Sequence, residues 1–277
     1  MMSALTHEHI RDLEHTAKNI RRTILEIIFR AKSSHIGCSL SAADILTALY
    51  FNVMKIDPRH PQKDDRDRLV MSKGHAVSGL YAALAERGFF PQEKLKEYGT
   101  EGTNLASHVV RGSVPGTETS NGSGGHGLSL GVGIALALRN KKNNTRVFVL
   151  SGDGELQEGS VWEALLSGAT HVLDNLTLIV DRNRFQDGQD GNGTDQILAL
   201  EPLDKKFEAF GWETETIDGH SFIELIPALM RHSKRPRVII ANTIKAKGVP
   251  FMEGRPEWHG KCPDEDQYNL ALKELAH

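Results

Sequence analysis

Asp153 and Asn183 are the residues whose types and positions point most directly to chemistry. Each follows a short, largely apolar run. Val147-Phe148-Val149-Leu150 leads into Ser151-Gly152-Asp153-Gly154-Glu155, and Leu176-Thr177-Leu178-Ile179-Val180 leads into Asp181-Arg182-Asn183-Arg184-Phe185. Such runs have the composition of strands buried on both faces of a parallel sheet. Between them Leu156, Val161, Leu165, Leu166 and Ala169 recur at helical spacing, predicting a helix from Leu156 to Val172. A strand, a helix and a parallel strand joined by a right-handed crossover place the two strand ends side by side, at the sheet edge where open α/β sheets bind ligands. There the Asp153 carboxylate, the Asn183 amide oxygen and the Phe185 main-chain carbonyl make three hard oxygen donors. They suit Mg²⁺, whose shell of about six oxygens is completed by water and a diphosphate. Gly152 and Gly154 let the backbone turn sharply and approach a ligand closely.

The remaining elements must bring other loops to the same edge. An amphipathic helix is expected over residues 7–32, with Leu13, Ala17, Ile20, Ile24, Ile27 and Ile28 on one stripe. Ser33-Ser34-His35-Ile36-Gly37-Cys38 interrupts it. A second helix, Ser41–Phe51, is expected to start with Ser41 as N-cap and Asp44 three residues on, close to a capping box, which sets the His35 loop beside a helix N-terminus. Asn52–Arg66 is a polar loop. Arg68–Ser72 reads as a strand, followed by Lys73-Gly74-His75 and a helix, Ala76–Arg87. Residues 98–127 carry much Gly, Ser, Thr and Pro and little periodicity, which in a compact domain marks a binding loop or a disordered one. A helix follows at Leu128–Arg139. Beyond Gly188 come a flexible stretch at Gln189–Asp195, a short helix closing at Lys205–Phe210 and a strand at Trp212–Ile217. Next are a helix at Ser221–His232 that Pro227 kinks or divides, a buried strand at Arg237–Asn242 and a terminal helix at Glu265–Ala276. The pattern is one doubly wound α/β domain, a mostly parallel sheet with helices on both faces, spanning 1–277.

Histidines are the second source of chemistry. His35, His75, His108 and His259 lie at expected strand-to-helix junctions or in long loops, and His126 lies in a glycine-rich loop. Strand-end loops converge on one edge, where imidazoles can donate to a diphosphate or exchange protons with a sugar's oxygens near neutral pH. His7, His9, His15, His60, His171, His220, His232 and His277 have no such context and are assigned to surface or packing. Gly122-Ser123-Gly124-Gly125-His126-Gly127 is formally G-x-G-x-x-G, which leaves open a nicotinamide-dependent dehydrogenase. Residues 116–121 ahead of it are not a convincing buried strand, and that fingerprint needs one.

A chain of 277 residues with net charge −3 and interleaved acids and bases excludes a nucleic-acid or anionic-membrane surface. Cys38 and Cys262 make neither a disulfide framework nor a metal spacing. No signal peptide or apolar run of about 18 residues is present, so a cytoplasmic location is expected.

Gly-Asp-Gly followed about thirty residues later by Asn resembles the metal–diphosphate motif of thiamine-diphosphate enzymes. Ser151-Gly152-Asp153-Gly154-Glu155-Leu156-Gln157-Glu158-Gly159-Ser160-Val161-Trp162-Glu163-Ala164 resembles the transketolase family in particular. The resemblance runs from about Ile20 to the C-terminus. Ser34-His35-Ile36-Gly37 is similar to the family's Ser-Gly-His-Pro-Gly, Lys73-Gly74-His75-Ala76 to its Asn/Lys-Gly-His-Ala, and Gly122–Ser129 to its Gly-Ser-Leu-Gly-His/Gln-Gly-Leu-Ser. Ser107-His108 and Trp258-His259-Gly260 fall on its histidine loops.

Carried over, the resemblance implies that Asp153, Asn183 and the Phe185 carbonyl hold Mg²⁺ (or Ca²⁺ or Mn²⁺). His75, Gly122, Ser123, Gly124, Gly152, Gly154, Glu155 and His259 then line the thiamine diphosphate site. His35, His108 and His259 surround the sugar, and Glu158 and Glu163 match an acidic pair joining two subunit sites. Gly124 replaces the family's leucine and Ile36 its proline, and Cys38 is an uncommon residue at its position, so the pocket is expected to be reshaped.

The implied reaction moves a two-carbon ketol unit from a ketose phosphate to an aldose phosphate. It needs a glutamate near the cofactor's pyrimidine ring, which in this family lies in a second α/β domain. The chain is therefore expected to be the N-terminal subunit of a split transketolase. It would pair with a C-terminal subunit carrying the pyrimidine-binding domain, forming at least a heterodimer and, by expectation, a dimer of heterodimers. A non-catalytic cofactor-binding subunit is the remaining alternative.

Overall fold

The computed structural model describes residues 5–141, 145–186 and 193–276. Five strands form one wholly parallel sheet: β1 (Arg68–Met71), β2 (Val147–Gly152), β3 (Leu176–Arg182), β4 (Glu213–Asp218) and β5 (Arg237–Asn242), in the order β1-β2-β3-β5-β4. The alternation of side chains along each strand divides the core. Phe148, Leu150, Ile179, Ile239 and Ala241 face one apolar cluster, while Val147, Val149, Leu178, Val180, Val238 and Ile240 face the other. The first cluster is closed by α1 (His7–Ala31), α2 (Ile36–Ser41), α3 (Ala43–Ala48), α4 (Val77–Glu86), α9 (Phe222–Met230) and α10 (Glu265–Glu274). The second is closed by α5 (Gly127–Asn140), α6 (Gly159–Thr170) and α8 (Leu203–Ala209). Each fully buried Ile or Leu in these layers contributes about 1.5–3 kcal/mol.

Three expectations are corrected. Ser41 does not cap a helix over Ser41–Phe51. It ends α2, and α3 and a π-helical turn at Leu49–Val53 follow. Residues 36–50 are buried throughout, so the Ser41 hydroxyl turns inward and donates to Asp181 Oδ2 at 2.6 Å, while Asp44 pairs with Arg21 and His220 instead of the backbone. The helix expected from Leu156 starts at Gly159, after a 3₁₀ turn at Gly154–Gln157, because the Glu155 side chain is drawn into the neighbouring loops. Pro227 neither ends nor divides α9. Its missing N–H falls opposite the carbonyl of Ile223, a 63% exposed residue.

Residues 189–192 of the expected flexible stretch, and His277, lie outside the described residues, while Thr194–Ile197 form a single helical turn, α7. No strand stands directly ahead of Gly122. Asn121 makes only an isolated bridge with Val109.

Candidate active site

The carboxyl ends of β1, β2, β3 and β5 converge, and the loops they carry define the site. At the tip of β2 the Asp153 carboxylate accepts from Gly154 N–H at 2.8 Å, from Arg184 N–H at 2.7 Å and from the Thr194 hydroxyl at 3.3 Å. Its Oδ2 also pairs with Arg182 at 3.0 Å. Both side chains are buried. Burial pushes the Asp153 carboxyl above the usual carboxylate range, against the pull of Arg182. Beyond β3 the Asn183 amide oxygen accepts from Phe185 N–H at 3.1 Å, and its Nδ2 lies 3.5 Å from Ser41 Oγ. Phe185 bridges Gly193. The two strand tips are thus joined by Asp153 itself.

Four imidazoles gather beside these tips. His35 lies with ring centroids 5.3 Å from His75, 5.8 Å from His108 and 5.3 Å from His259, and His75 stacks on His259 at 5.4 Å. His35 sits in the left-handed region (φ 68°), and its N–H donates to the His259 carbonyl at 2.9 Å, which locks the first loop to the last. Burial, then the nearby Lys245, lowers the His259 pKa to about 3. Burial and Lys73 hold His75 well below its ordinary value. Both are therefore neutral at pH 7.

The glycine-rich loop runs along the edge of this cluster. Gly122 faces His108, since a Cβ there would meet His108 Cδ2 at 3.5 Å. Gly154 is closed in by Gln186, where a Cβ would fall 2.3 Å from Oε1. Glu155 is engaged by the protein on both oxygens. Oε1 accepts from Ser72 and from Gly125 N–H at 2.9 Å, and Oε2 from the Ser151 hydroxyl at 3.0 Å, so this side chain ties three loops together. Ser123, Gly124, Glu158 and Glu163 are exposed. Glu158 abuts the glycine loop, and Glu163 follows on α6. Gly152 ends β2.

Two buried lysines were not legible in the sequence. Lys73 pairs with Asp181 and donates to the Cys38 carbonyl at 3.0 Å, and Asp181 also accepts from Ser41 and Thr243. Lys245 Nζ lies 3.1 Å from His259 Nδ1. Their position directly after β1 and shortly after β5 was the available signal. Cys38 is buried and forms no disulfide, with burial raising its thiol pKa.

The donors fit a magnesium-bound diphosphate. Asp153 and Asn183 offer a carboxylate and an amide oxygen at adjoining strand tips, and the neutral imidazoles of His75 and His259, with Lys245 against His259, stand beside them. Among the described residues no group of three His, Cys, Asp or Glu side chains is arranged to hold a metal. The expected set contains only one such residue, Asp153.

The family model described as "Transketolase, thiamine diphosphate binding domain" matches residues 13–276. The chain is 43% identical to one subunit of the apulose-4-phosphate transketolase of Actinobacillus succinogenes, over 95% of this chain and 96% of that protein. It is 42% identical to a 6-deoxy-6-sulfo-D-fructose transketolase subunit of Clostridium sp., again over 95% and 96%. It superposes on the crystal structure of transketolase from Campylobacter jejuni with a TM-score of 0.88 at 32% identity, covering 96% of this chain and 43% of that one. The chain thus spans less than half the length of that solved transketolase.

Proposed function

The chain belongs to the transketolase family, and from that premise we propose that it is the N-terminal subunit of a two-subunit transketolase that transfers a ketol unit between sugar phosphates. The observation that carries this reading is the junction of the β2 and β3 tips at Asp153, with four histidines packed beside it. The Actinobacillus relative, named as one subunit of its enzyme and matched along nearly its whole length, supports a separate partner. In this reading residues 1–277 form one cofactor-binding domain.

Asp153, Asn183 and the Phe185 carbonyl hold Mg²⁺, with Ca²⁺ or Mn²⁺ able to replace it. His75, His259, Gly122 and Gly154 hold the diphosphate, with Ser123, Gly124 and Gly152 along the same loops. Glu155 keeps those loops in place. Thiamine diphosphate, when bound, supplies the electron sink that lets a two-carbon unit leave a ketose and join an aldose. His35, His108 and His259 orient the sugar's carbonyl and hydroxyls and exchange protons with them. Glu158 and Glu163, exposed at the start of α6, face a second copy of the site. The partner supplies the pyrimidine-binding domain, and the assembly is a dimer of heterodimers. Among the described residues no helix is long and apolar enough to cross a membrane, in keeping with a proposed cytoplasmic location.

The test is to assay ketol transfer by the purified chain alone and with candidate C-terminal subunits, with and without thiamine diphosphate and Mg²⁺. Activity is expected only in the cofactor-loaded pair. Turnover by the lone chain overturns the two-subunit reading, and NAD-dependent oxidation overturns the transferase.

A further inference from the structure

His220, in the turn between β4 and α9, bonds to two distant parts of the chain. Ile244 N–H donates to its Nε2 at 2.8 Å, and its Nδ1 lies 2.6 Å from Asp44 Oδ2. A backbone N–H can only donate, so Nε2 carries no proton and Nδ1 carries the one that reaches Asp44. Asp44, buried on α3, also accepts from Arg21 of α1 at 3.0 Å. Burial alone would raise the Asp44 pKa, but Arg21 and His220 hold it below the ordinary carboxylate value. The turn itself is packed against the peptide it serves. Gly219 N–H donates to the Asn242 carbonyl at 2.8 Å, and a Cβ on Gly219 would meet Thr243 Cγ2 at 2.5 Å.

The residues flanking Ile244 are the ones that enter the site. Thr243 donates its hydroxyl to Asp181, the partner of Lys73, and Lys245 reaches His259. The bond from Ile244 to His220 therefore pins the peptide from which both side chains project. Ile244 itself is 38% exposed, and the bonds of the neighbouring peptides run to other loops, Thr243 N–H to the Arg182 carbonyl at 3.2 Å and Gly254 N–H to the Lys245 carbonyl at 3.0 Å.

We propose that His220 is a positioning residue. As the Nδ1–H tautomer fixed by Asp44, it holds the Thr243–Lys245 peptide so that Lys245 and His259 stay aligned for an anionic ligand. The identity of that ligand rests on the transketolase reading. The anchoring does not.

Two experiments test it. Long-range ¹H–¹⁵N imidazole spectra of the isolated chain at pH 7.5 should show His220 protonated on Nδ1 and bare on Nε2, and the opposite tautomer overturns the proposal. His220→Gln keeps an acceptor near Nε2, whereas His220→Asn reaches only the Asp44 side. In the assembled complex His220→Asn should raise the KM for thiamine diphosphate at least tenfold, with kcat at saturation within threefold. His220→Gln should stay within threefold on both. Equal losses in the two variants, or a loss only of folded protein, overturn the positioning role. In the lone chain, the His259 ring signals should shift in the Asn variant and stay near wild type in the Gln variant, and unchanged signals in both overturn the proposal. If these lone-chain results hold while the complex transfers no ketol unit, the functional reading has failed and the anchoring stands.

Discussion

The Asp153 carboxylate, at the tip of β2, accepts the backbone N–H of Arg184, just beyond β3, at 2.7 Å. One side chain therefore fixes the spacing of the two strand tips, and removing it has two separate consequences. Asp153→Ala should abolish ketol transfer by the assembled enzyme. Metal affinity should fall by more than the roughly 10–100-fold typical of losing an outer-shell partner. Calorimetry with Mg²⁺ and thiamine diphosphate reads the second effect directly, and retention of both activity and binding would sink the assignment.

Arg182 loses a buried partner in the same variant, though Asp195 and Glu201 still flank it. Asp153→Asn, which keeps the shape and the acceptor oxygen, should fold closer to wild type while still losing activity. Denaturant unfolding of both variants beside the kinetics separates the ligand's role from the structural one.

Lys73 and Asp181 form a fully buried ion pair between β1 and β3. Lys73→Met leaves Asp181 without its cation and should cost about 3–5 kcal/mol in denaturant unfolding. Burial alone would raise the Asp181 pKa and lower that of Lys73, but their mutual attraction reverses both shifts. Asp181's contribution is complete above the unfolded carboxyl value of about 3.9 and is lost as pH falls through its lowered folded value. Lys73's is complete below about 10.4 and is lost as pH rises through its raised folded value. Wild-type stability should therefore fall at both extremes, and the Met variant should show neither loss from this pair.

His259 titrates near 3 in the folded chain because it is buried and faces Lys245. The unfolded chain takes up that proton near pH 6.5, so the histidine's effect on stability is smallest above 6.5 and grows unfavourable as pH falls toward 3. NMR titration of the lone chain should find its imidazole neutral from pH 5 to 8. Lys245→Met should move the titration upward toward the ordinary value, and a histidine that titrates near 6.5 in the wild type contradicts this geometry.

Two glycines in these loops should answer differently to substitution. A Cβ on Gly74 would fall 2.1 Å from the Asn121 carbonyl oxygen, a backbone atom that cannot move cheaply, whereas on Gly124 it would make only ordinary contacts with the Glu158 and Glu155 side chains, at 3.6 Å and beyond. Gly74→Ala should destabilise the chain by about 1–3 kcal/mol or more. Gly124→Leu should leave the melting temperature nearly unchanged and tighten thiamine diphosphate binding. A Gly124 variant that unfolds, or binds more weakly, contradicts the open space seen there.

The sheet, the helix around Ile20–Ile28 and the side-by-side tips of β2 and β3 are all legible in the amino-acid order. Their signals are local: apolar runs that must be strands, period-3.6 stripes, and a crossover whose handedness is fixed by chain sterics. The start of α6 and the ends of α2 depart from expectation for the opposite reason. Ser41 carries good capping chemistry, but Asp181 claims its hydroxyl, and Glu155 ahead of α6 is drawn instead to Gly125 N–H and Ser72. His220 reads as a packing residue because a lone histidine in a turn carries no local sign of Asp44, 176 positions away.

The sequence by itself determined the parallel α/β architecture, the kinship with the transketolase family and which loop histidines could gather at one sheet edge, because each rests on residue type and on spacing within a short stretch. Only the tertiary structure decided which charges neutralise one another, Lys73 with Asp181, Arg182 with Asp153 and Arg21 with Asp44, and that the neutral His220 ring donates to Asp44 as well. A buried charge must find its partner wherever the fold brings one within reach, and that distance in space leaves no trace in the distance along the chain.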